Sequence, residues 1–265
     1  MAEDSLPPTP ERLSAILRTR WLGRTYEWRA VCASTNDLAA ERGRNGAAEG
    51  LVVAADAQSG GRGRQGRAWH SPAGENIYLS ILLRPRRRAA EIPPLTLLAG
   101  AAVARALDGL GVRARLKWPN DILVEEGGSP RKLAGILTEM ASEGDRVGHV
   151  VVGLGLNVNA IDFPPEIAGR ATSLRRIAGR PFERAALVAA ILEAFEPLYD
   201  DFAAQGPARA VAVWQEHAAL GERWRVDAAG APVEGIAVGV DPDGALLLRD
   251  DAGHVHRVVS GEIFP

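Results

Sequence analysis

Between Arg113 and Asn157 the chain holds four strand-like apolar runs with only short breaks between them. These are Arg113–Trp118, Asp121–Glu125, Lys132–Glu139 and Val147–Asn157, interrupted by Pro119-Asn120 and by Glu126–Arg131. Earlier runs at Thr25–Cys32, Leu51–Asp56 and Asn76–Arg84 also read as strands, the last one alternating. Helix-like stretches are fewer: Arg12–Arg20, a segment opening at Ser34, Leu95–Leu110, Glu183–Ala204 and Ala208–His217. Strands that come in runs, with few helices between them, imply an α+β fold with a mixed β-sheet and helices packed on it, rather than strict βαβ alternation. Ser34-x-x-Asp37 has the form of a capping box. Residues 1–11 read as a loose tail.

From Leu220 the character changes. Short β runs at Arg223–Asp227, Val233–Val240, Ala245–Arg249 and Val255–Val259 are separated by turn signals at Ala229-Gly230, Asp241–Gly244 and Asp250–Gly253. The chain therefore divides into a larger unit over residues 1–219 and a small β-barrel-like unit over residues 220–265. The formal net charge of −2 gives no bulk attraction to a polyanion. The only cysteine, Cys32, excludes an internal disulfide and fits a reducing cytoplasm. No signal-peptide pattern opens the chain, and no uninterrupted apolar run suggests a membrane span. One cysteine and five scattered histidines leave no zinc-site spacing.

The most unusual segment is Gly60-Gly61-Arg62-Gly63-Arg64-Gln65-Gly66-Arg67-Ala68-Trp69, within a loop over Gln58–Gly74. Glycines let backbone N–H groups approach a ligand, and guanidinium forks bind phosphate or carboxylate oxygens, so the composition suits an anion. Gly61-x-Gly63-x-x-Gly66 matches the dinucleotide fingerprint, but the following Ala68-Trp69-His70-Ser71-Pro72 cannot open the helix that motif requires. The spacing of a phosphate-binding P-loop also fails, because Arg67-Ala68 stands where Lys and Ser/Thr are needed. A flexible, solvated Arg/Gly loop is the plain alternative.

Four further motifs accompany that loop. Ser34-Thr35-Asn36 precedes it, and Lys117-Trp118-Pro119-Asn120-Asp121-Ile122, Lys132-Leu133-Ala134-Gly135-Ile136-Leu137 and Gly153-Leu154-Gly155-Leu156-Asn157-Val158-Asn159 follow it in order. Together these resemble the bacterial biotin protein ligases, over about Ser34 to Asn159, with a β-rich tail that also fits. The resemblance implies a class II aminoacyl-tRNA synthetase-like catalytic domain with helices on one side of its sheet, followed by an SH3-like barrel. It implies a ligase that uses ATP and Mg²⁺ to make biotinyl-AMP and then biotinylates a lysine of a biotin carboxyl carrier protein or domain. Only 33 residues precede Ser34, fewer than the winged helix-turn-helix domain of repressor members needs, so no specific DNA binding is expected. The resemblance allows a homodimer.

The site residues follow from the same matches. Ser34, Thr35, Asn36 and Gln58 would hydrogen-bond the neutral ring urea of biotin, for which hydroxyls and amides suit better than charges. Taken alone, Ser34 reads equally as a helix cap. Arg62, Arg64 and Arg67, with backbone N–H groups near Gly61 and Gly63, would face biotin and the adenylate. Lys132 would be the catalytic cation, although a lysine heading a strand is common in any sheet. Trp69 would wall the pocket or stack on adenine, or else be a core residue. Asp121 would help activate the acceptor lysine or bind metal, Asn157, with Gly153 and Gly155 nearby, would lie on the nucleotide and metal side, and Gly135 and Gly155 would be among the ligand-binding residues. Adenine contacts are expected near Ala160–Thr172 without a motif to assign them. His70 and Glu139 tempt as acid–base groups but match no motif. A lipoate or octanoate ligase is the nearest rival, and a nucleic-acid module using the arginine loop is the rival of another class.

Overall fold

The computed structural model describes residues 6–227 and 232–264, so the turn expected at Ala229-Gly230 lies outside the described residues. A short helix α1 (Pro10–Ser14) leads into β1 (Tyr26–Cys32), α2 (Thr35–Arg44), β2 (Val52–Gln58), β3 (Ile77–Leu83) and α3 (Pro94–Asp108). Then come β4 (Arg115–Lys117), β5 (Asp121–Glu126), β6 (Ser129–Glu143) and β7 (Arg146–Leu156). Helices α4 (Pro165–Ala168), α5 (Leu174–Ala178), α6 (Arg184–Gln205) and α7 (Ala208–His217) complete the larger part. The seven strands make one sheet in the order β1-β2-β3-β7-β6-β5-β4. Only β1 and β2 pair in parallel, with α2 as the crossover that a parallel pair requires. The four runs after Arg113 form the antiparallel half.

Successive side chains on a strand point to opposite faces, and here both faces of the central strands are covered. Ile77, Leu79, Ile81 and Leu83 of β3 join Val150, Val152, Leu154 and Leu156 of β7 in the main core, under α3, α6 and α7. On the other face Leu82, Val53 and Val151 pack with Ala39 of α2 in a smaller cluster. Two expectations change as a result. The helices do not lie on one side only, and β3 does not alternate apolar with exposed polar residues, because α2 buries its second face and all seven residues are buried. Helix α2 packs mainly on β2, β3 and β7, reaching β6 through Asn36, and so leaves most of the β6 side of this face open. The segment Ala89–Asp108, which includes α3, is long and apolar enough to cross a membrane, an exception to the sequence reading. It has another explanation: α3 is the central core helix, and its apolar residues are buried against α6, α7 and the sheet.

The helix expected over Arg12–Arg20 ends at Ser14, because tertiary partners take the backbone beyond it. Arg20 donates its N–H to Oε1 of Glu196 at 2.9 Å, and Trp21 and Leu22 donate to Oε2, each at 3.0 Å. Past His217, β8 (Arg223–Asp227), β9 (Pro232–Val240), β10 (Leu246–Arg249), β11 (Val255–Val258) and β12 (Glu262–Phe264) form an antiparallel five-stranded sheet ordered β11-β10-β9-β8-β12. Strand β12, not anticipated from the sequence, pairs with β8. The small sheet shares the main core through Trp224, Val226 and Leu246, and Trp118 Nε1 donates to the Gly244 carbonyl at 2.9 Å.

Candidate active site

The uncovered part of the α2 face becomes the floor of a cleft of about 650 Å³. The local sequence explains why it is concave. In Gly153-Leu154-Gly155-Leu156 the leucines point into the core and the glycines point at the cleft. Gly155 pairs directly with Gly135 of β6 and Gly153 with Leu137. The Trp69 indole lies on the bare Gly135/Gly155 pair. A Cβ on Gly155 would sit 2.4 Å from Trp69 Nε1, and one on Gly135 would sit 3.1 Å from its Cζ3. These two glycines thus make room for an indole. Trp69 is half-buried, a pocket wall rather than a core residue.

At one end of the floor, α2 begins. Ser34 occupies the N-cap with extended backbone, but its hydroxyl makes no capping bond, and Asp37 pairs with Arg62 instead of completing a capping box. Ser34, Thr35 and Asn36 are all buried and all line the cleft. Gln58 Oε1 accepts from the Thr35 N–H at 2.8 Å, and Gln58 Nε2 donates to Ser71 Oγ at 3.2 Å. Ser80, a polar residue inside the apolar strand β3, stands behind them, 2.8 Å from Thr35 Oγ1 and 2.6 Å from Asn36 Oδ1. Asn36 Nδ2 donates to Glu139 Oε2 at 2.6 Å and to the Leu137 carbonyl at 3.2 Å. The motifs missed both Ser80 and Glu139, although a buried serine in the run Ile77–Leu83 was a visible signal.

At the other end Lys132 Nζ is 2.6 Å from Asp121 Oδ1 and 5.4 Å from the Trp69 ring centroid. Its backbone is fixed on both sides, donating to the Arg170 carbonyl at 2.7 Å and accepting from the Thr172 N–H at 3.0 Å. The stretch 160–172 reaches the cleft through Phe163, Ile167, Arg170 and Ala171. Asn157 lines the cleft and donates Nδ2 to the Thr172 carbonyl at 3.0 Å, holding that stretch to the floor. Asn159, by contrast, lies deep and exchanges hydrogen bonds with the Phe182 backbone, a purely structural pairing.

The Gly-Arg loop folds over the cleft as a narrow hairpin. Trp69 donates its N–H to the Gly61 carbonyl at 2.9 Å, and Gly63 donates to the Arg67 carbonyl at 2.7 Å. The Gly63 N–H is therefore already bonded within the hairpin, contrary to the expectation of a free backbone donor there. Gly61 does not line the cleft: a Cβ there would meet Ser71 Oγ at 2.7 Å and the Trp69 carbonyl at 2.8 Å, so its smallness lets the hairpin close. The tip turns through Gln65 and Gly66, both with positive φ. The three arginines diverge. Arg62 forks onto Asp37 at 2.6 and 2.7 Å, with Glu139 Oε1 at 3.7 Å. Arg64 reaches Asn120 Oδ1 at 3.4 Å and the Gly261 carbonyl at 3.2 Å, and Arg67 reaches Gln65 Oε1 at 3.4 Å. The fork from Arg62 holds the Asp37 carboxyl below the usual carboxylate range. Lys117, Asn120 and Ile263 also line the cleft, so β12 of the small sheet forms part of its wall.

Comparison with known proteins places this geometry. The pattern described as "Biotin/lipoate A/B protein ligase family" matches residues 28–157, and that of a "Biotin protein ligase C terminal domain" matches residues 219–264. The chain is 38% identical over 251 residues to the "Bifunctional ligase/repressor BirA" of Bacillus subtilis, covering 93% of this chain and 76% of that one. It is 33% identical to the "Biotin--[acetyl-CoA-carboxylase] ligase" of Mycobacterium tuberculosis, covering 97% and 96% of the two. Among solved structures, the biotin protein ligase of Aquifex aeolicus in complex with biotin and ATP superposes with a TM-score of 0.78 at 28% identity, over 91% of this chain and 98% of that one.

Proposed function

The chain belongs to the biotin protein ligase family, and we propose that its cleft joins biotin to ATP and then passes the biotinyl group to a lysine of a biotin carboxyl carrier protein. The observation that carries this reading is the polarity of one cleft. Neutral donors and acceptors cluster at the α2 end, a glycine and indole floor lies in the middle, and Lys132 stands at the far end. A bicyclic urea with an acid side chain has the same order of groups.

The ring urea binds at Ser34, Thr35, Asn36 and Gln58, and the side chain runs along Trp69 toward Lys132. A carboxylate oxygen attacks the α-phosphorus of ATP, the bond to the β-phosphate oxygen breaks, and pyrophosphate leaves. Lys132 exchanges its contact with Asp121 for the carboxylate and phosphate oxygens, where negative charge builds in the transition state. Arg64 exchanges its contacts with Asn120 and Gly261, and Arg67 its contact with Gln65, for the adenylate, while Arg62 stays on Asp37 as the anchor of the loop. In the second step the acceptor amine attacks the carbonyl carbon of the anhydride, and AMP leaves with the bonding electrons. Asp121, released from Lys132, takes the amine proton. The described residues contain no cluster of three His, Cys, Asp or Glu side chains. Mg²⁺ bound to the triphosphate would neutralise phosphate charge, and the Asn157 carboxamide oxygen would be the protein ligand that holds it.

Lipoate or octanoate carries no ring N–H or C=O to meet the hydrogen-bonding capacity that the buried amide and hydroxyl groups at the α2 end keep toward the cleft, and each such group dried without a ligand partner costs about 1–3 kcal/mol. Pyrophosphate–ATP exchange is the test. It should depend on biotin and stay near background with lipoate or octanoate. Exchange supported equally by an alkanoate would overturn the reading.

A further inference from the structure

We propose that Glu139, which does not reach the ligand position itself, determines specificity by fixing Thr35 as a hydrogen-bond acceptor, so that the cleft selects a ligand ring bearing N–H donors. The inference rests on the biotin reading above. It follows from counting protons along a chain of side chains, starting from groups whose role cannot change.

A carboxylate and a backbone carbonyl accept only. Asn36 faces both, Glu139 Oε2 at 2.6 Å and the Leu137 carbonyl at 3.2 Å, so the group facing them is its NH₂. Asn36 Oδ1 is thereby turned to Ser80 Oγ at 2.6 Å and must accept the Ser80 proton. Ser80 is fully buried and has one proton, now committed. Its 2.8 Å contact with Thr35 Oγ1 can therefore only accept. Gln58 Oε1, the other neighbour of that hydroxyl at 3.2 Å, is also an acceptor, fixed by the Thr35 backbone N–H. The Thr35 proton goes to one of these two protein groups in every arrangement. What Thr35 offers the cleft is a lone pair, and a ring urea supplies the matching N–H. An ether oxygen or a methylene at that ring position does not.

The acceptor oxygen of Glu139 fixes this order. If the side chain is removed, the Leu137 carbonyl alone opposes rotation of the Asn36 amide. With the amide turned over, Asn36 Nδ2 donates to Ser80 and Ser80 donates to Thr35, so one of the two Thr35 lone pairs is occupied from behind and its proton, which Ser80 no longer takes, can turn to the cleft instead of to Gln58 Oε1. Arg62, with Nη2 at 3.7 Å from Glu139 Oε1, balances the carboxylate from the loop side without touching Asn36 in this chain of bonds.

The test compares biotin with an analogue in which one ring N–H is replaced by oxygen, in wild type, Glu139→Ala and Glu139→Gln. The readout is pyrophosphate–ATP exchange. Wild type should prefer biotin by at least about tenfold in kcat/KM, the scale of one unpaired buried group. Glu139→Ala should raise the KM for biotin about tenfold, leave kcat and the KM for ATP within about twofold, and shrink the preference toward unity. Glu139→Gln, which still accepts through its amide oxygen, should recover most of the preference. A merely structural role would lower kcat and weaken ATP binding while keeping the preference, and that result overturns the proposal. An unchanged preference in a fully active Glu139→Ala enzyme does so equally. A wild type showing no biotin-dependent exchange would instead overturn the functional reading on which this rests.

Discussion

The glycine floor can be tested with one methyl group. Gly155→Ala places a Cβ 2.4 Å from Nε1 and Cε2 of Trp69. Ordinary carbon contacts lie at about 3.5–4.0 Å, so the indole must retreat by about 1 Å or more. The strand cannot retreat in its place, because β7 is hydrogen-bonded between β3 and β6. The Trp69 backbone is held in its hairpin, its N–H donating to Gly61 and its carbonyl accepting from Ser71 Oγ at 3.0 Å, so the indole must swing about its side-chain torsions or take the hairpin with it. A half-buried loop residue yields more easily than a core residue, so the stability cost falls at the low end of overpacking, about 1 kcal/mol. For a protein of this size that lowers Tm by roughly 2–4 °C. The effect on chemistry is larger, because displacing reacting groups by about 1 Å can cost up to about 10²-fold in rate. Differential scanning calorimetry and biotin-dependent pyrophosphate exchange measure the two separately. A variant that keeps both its biotin affinity and its exchange rate within twofold of wild type would refute the idea that the Gly135/Gly155 pair exists to seat the indole.

Further expectations follow from other contacts. Lys132→Ala should lower adenylate formation by at least about 10²-fold with an unchanged circular dichroism spectrum, and near-normal exchange would remove Lys132 from the chemistry. Trypsin should cut the chain at Arg64 and Arg67 quickly in the free protein and slowly with biotin plus ATP, and equal rates would show that the hairpin is not recruited by ligand. Glu196 is buried, which raises its carboxyl pKa, but N–H groups of Trp21, Arg20 and Leu22 outweigh this and hold it below the ordinary range. Its contribution is present above the unfolded value of about 4.3 and is lost as pH falls through the folded one. Glu196→Ala should cost about 3 kcal/mol at pH 7 by stranding those donors, and the gap to wild type should close in acid; a constant gap down to pH 3 would contradict the assignment. The Arg62–Asp37 fork is largely exposed and so worth at most about 1 kcal/mol, but Asp37→Asn should speed tryptic cleavage at Arg62 at neutral pH. Unchanged cleavage would show that the fork does not anchor the hairpin.

The strands from Arg113 to Leu156 were legible because each is a continuous apolar run bounded by turn residues, and short-range pattern suffices there. The motifs located Lys132, Thr35 and Trp69 in one cleft, since each lies in a segment with its own local signature, although Lys132 sits inside β6, which begins at Ser129, and does not head it. What failed depended on distant partners. The helix expected to Arg20 gives way to Glu196, some 175 residues away. Asp37 is drawn from the expected capping box by Arg62 of the Gly-Arg loop. Composition suggested three arginines gathered on one anion, but each found a different protein partner in the folded chain. Strand β12 is three residues long and carries no period of its own, so only its pairing with β8 defines it.

That last pairing sets an order of assembly. Strands β8 to β11 join their neighbours through hairpins, which close quickly because the loops are short. β12 must instead return across 35 residues, from Glu262 to Asp227, and only then does Ile263 complete the cleft wall and Gly261 offer its carbonyl to Arg64. Formation of the β8–β11 part of the small sheet and completion of the site by β12 are therefore separable events. In refolding, pulse-labelled amides of β12 should gain protection after those of β9 and β10, and activity should return with the later phase.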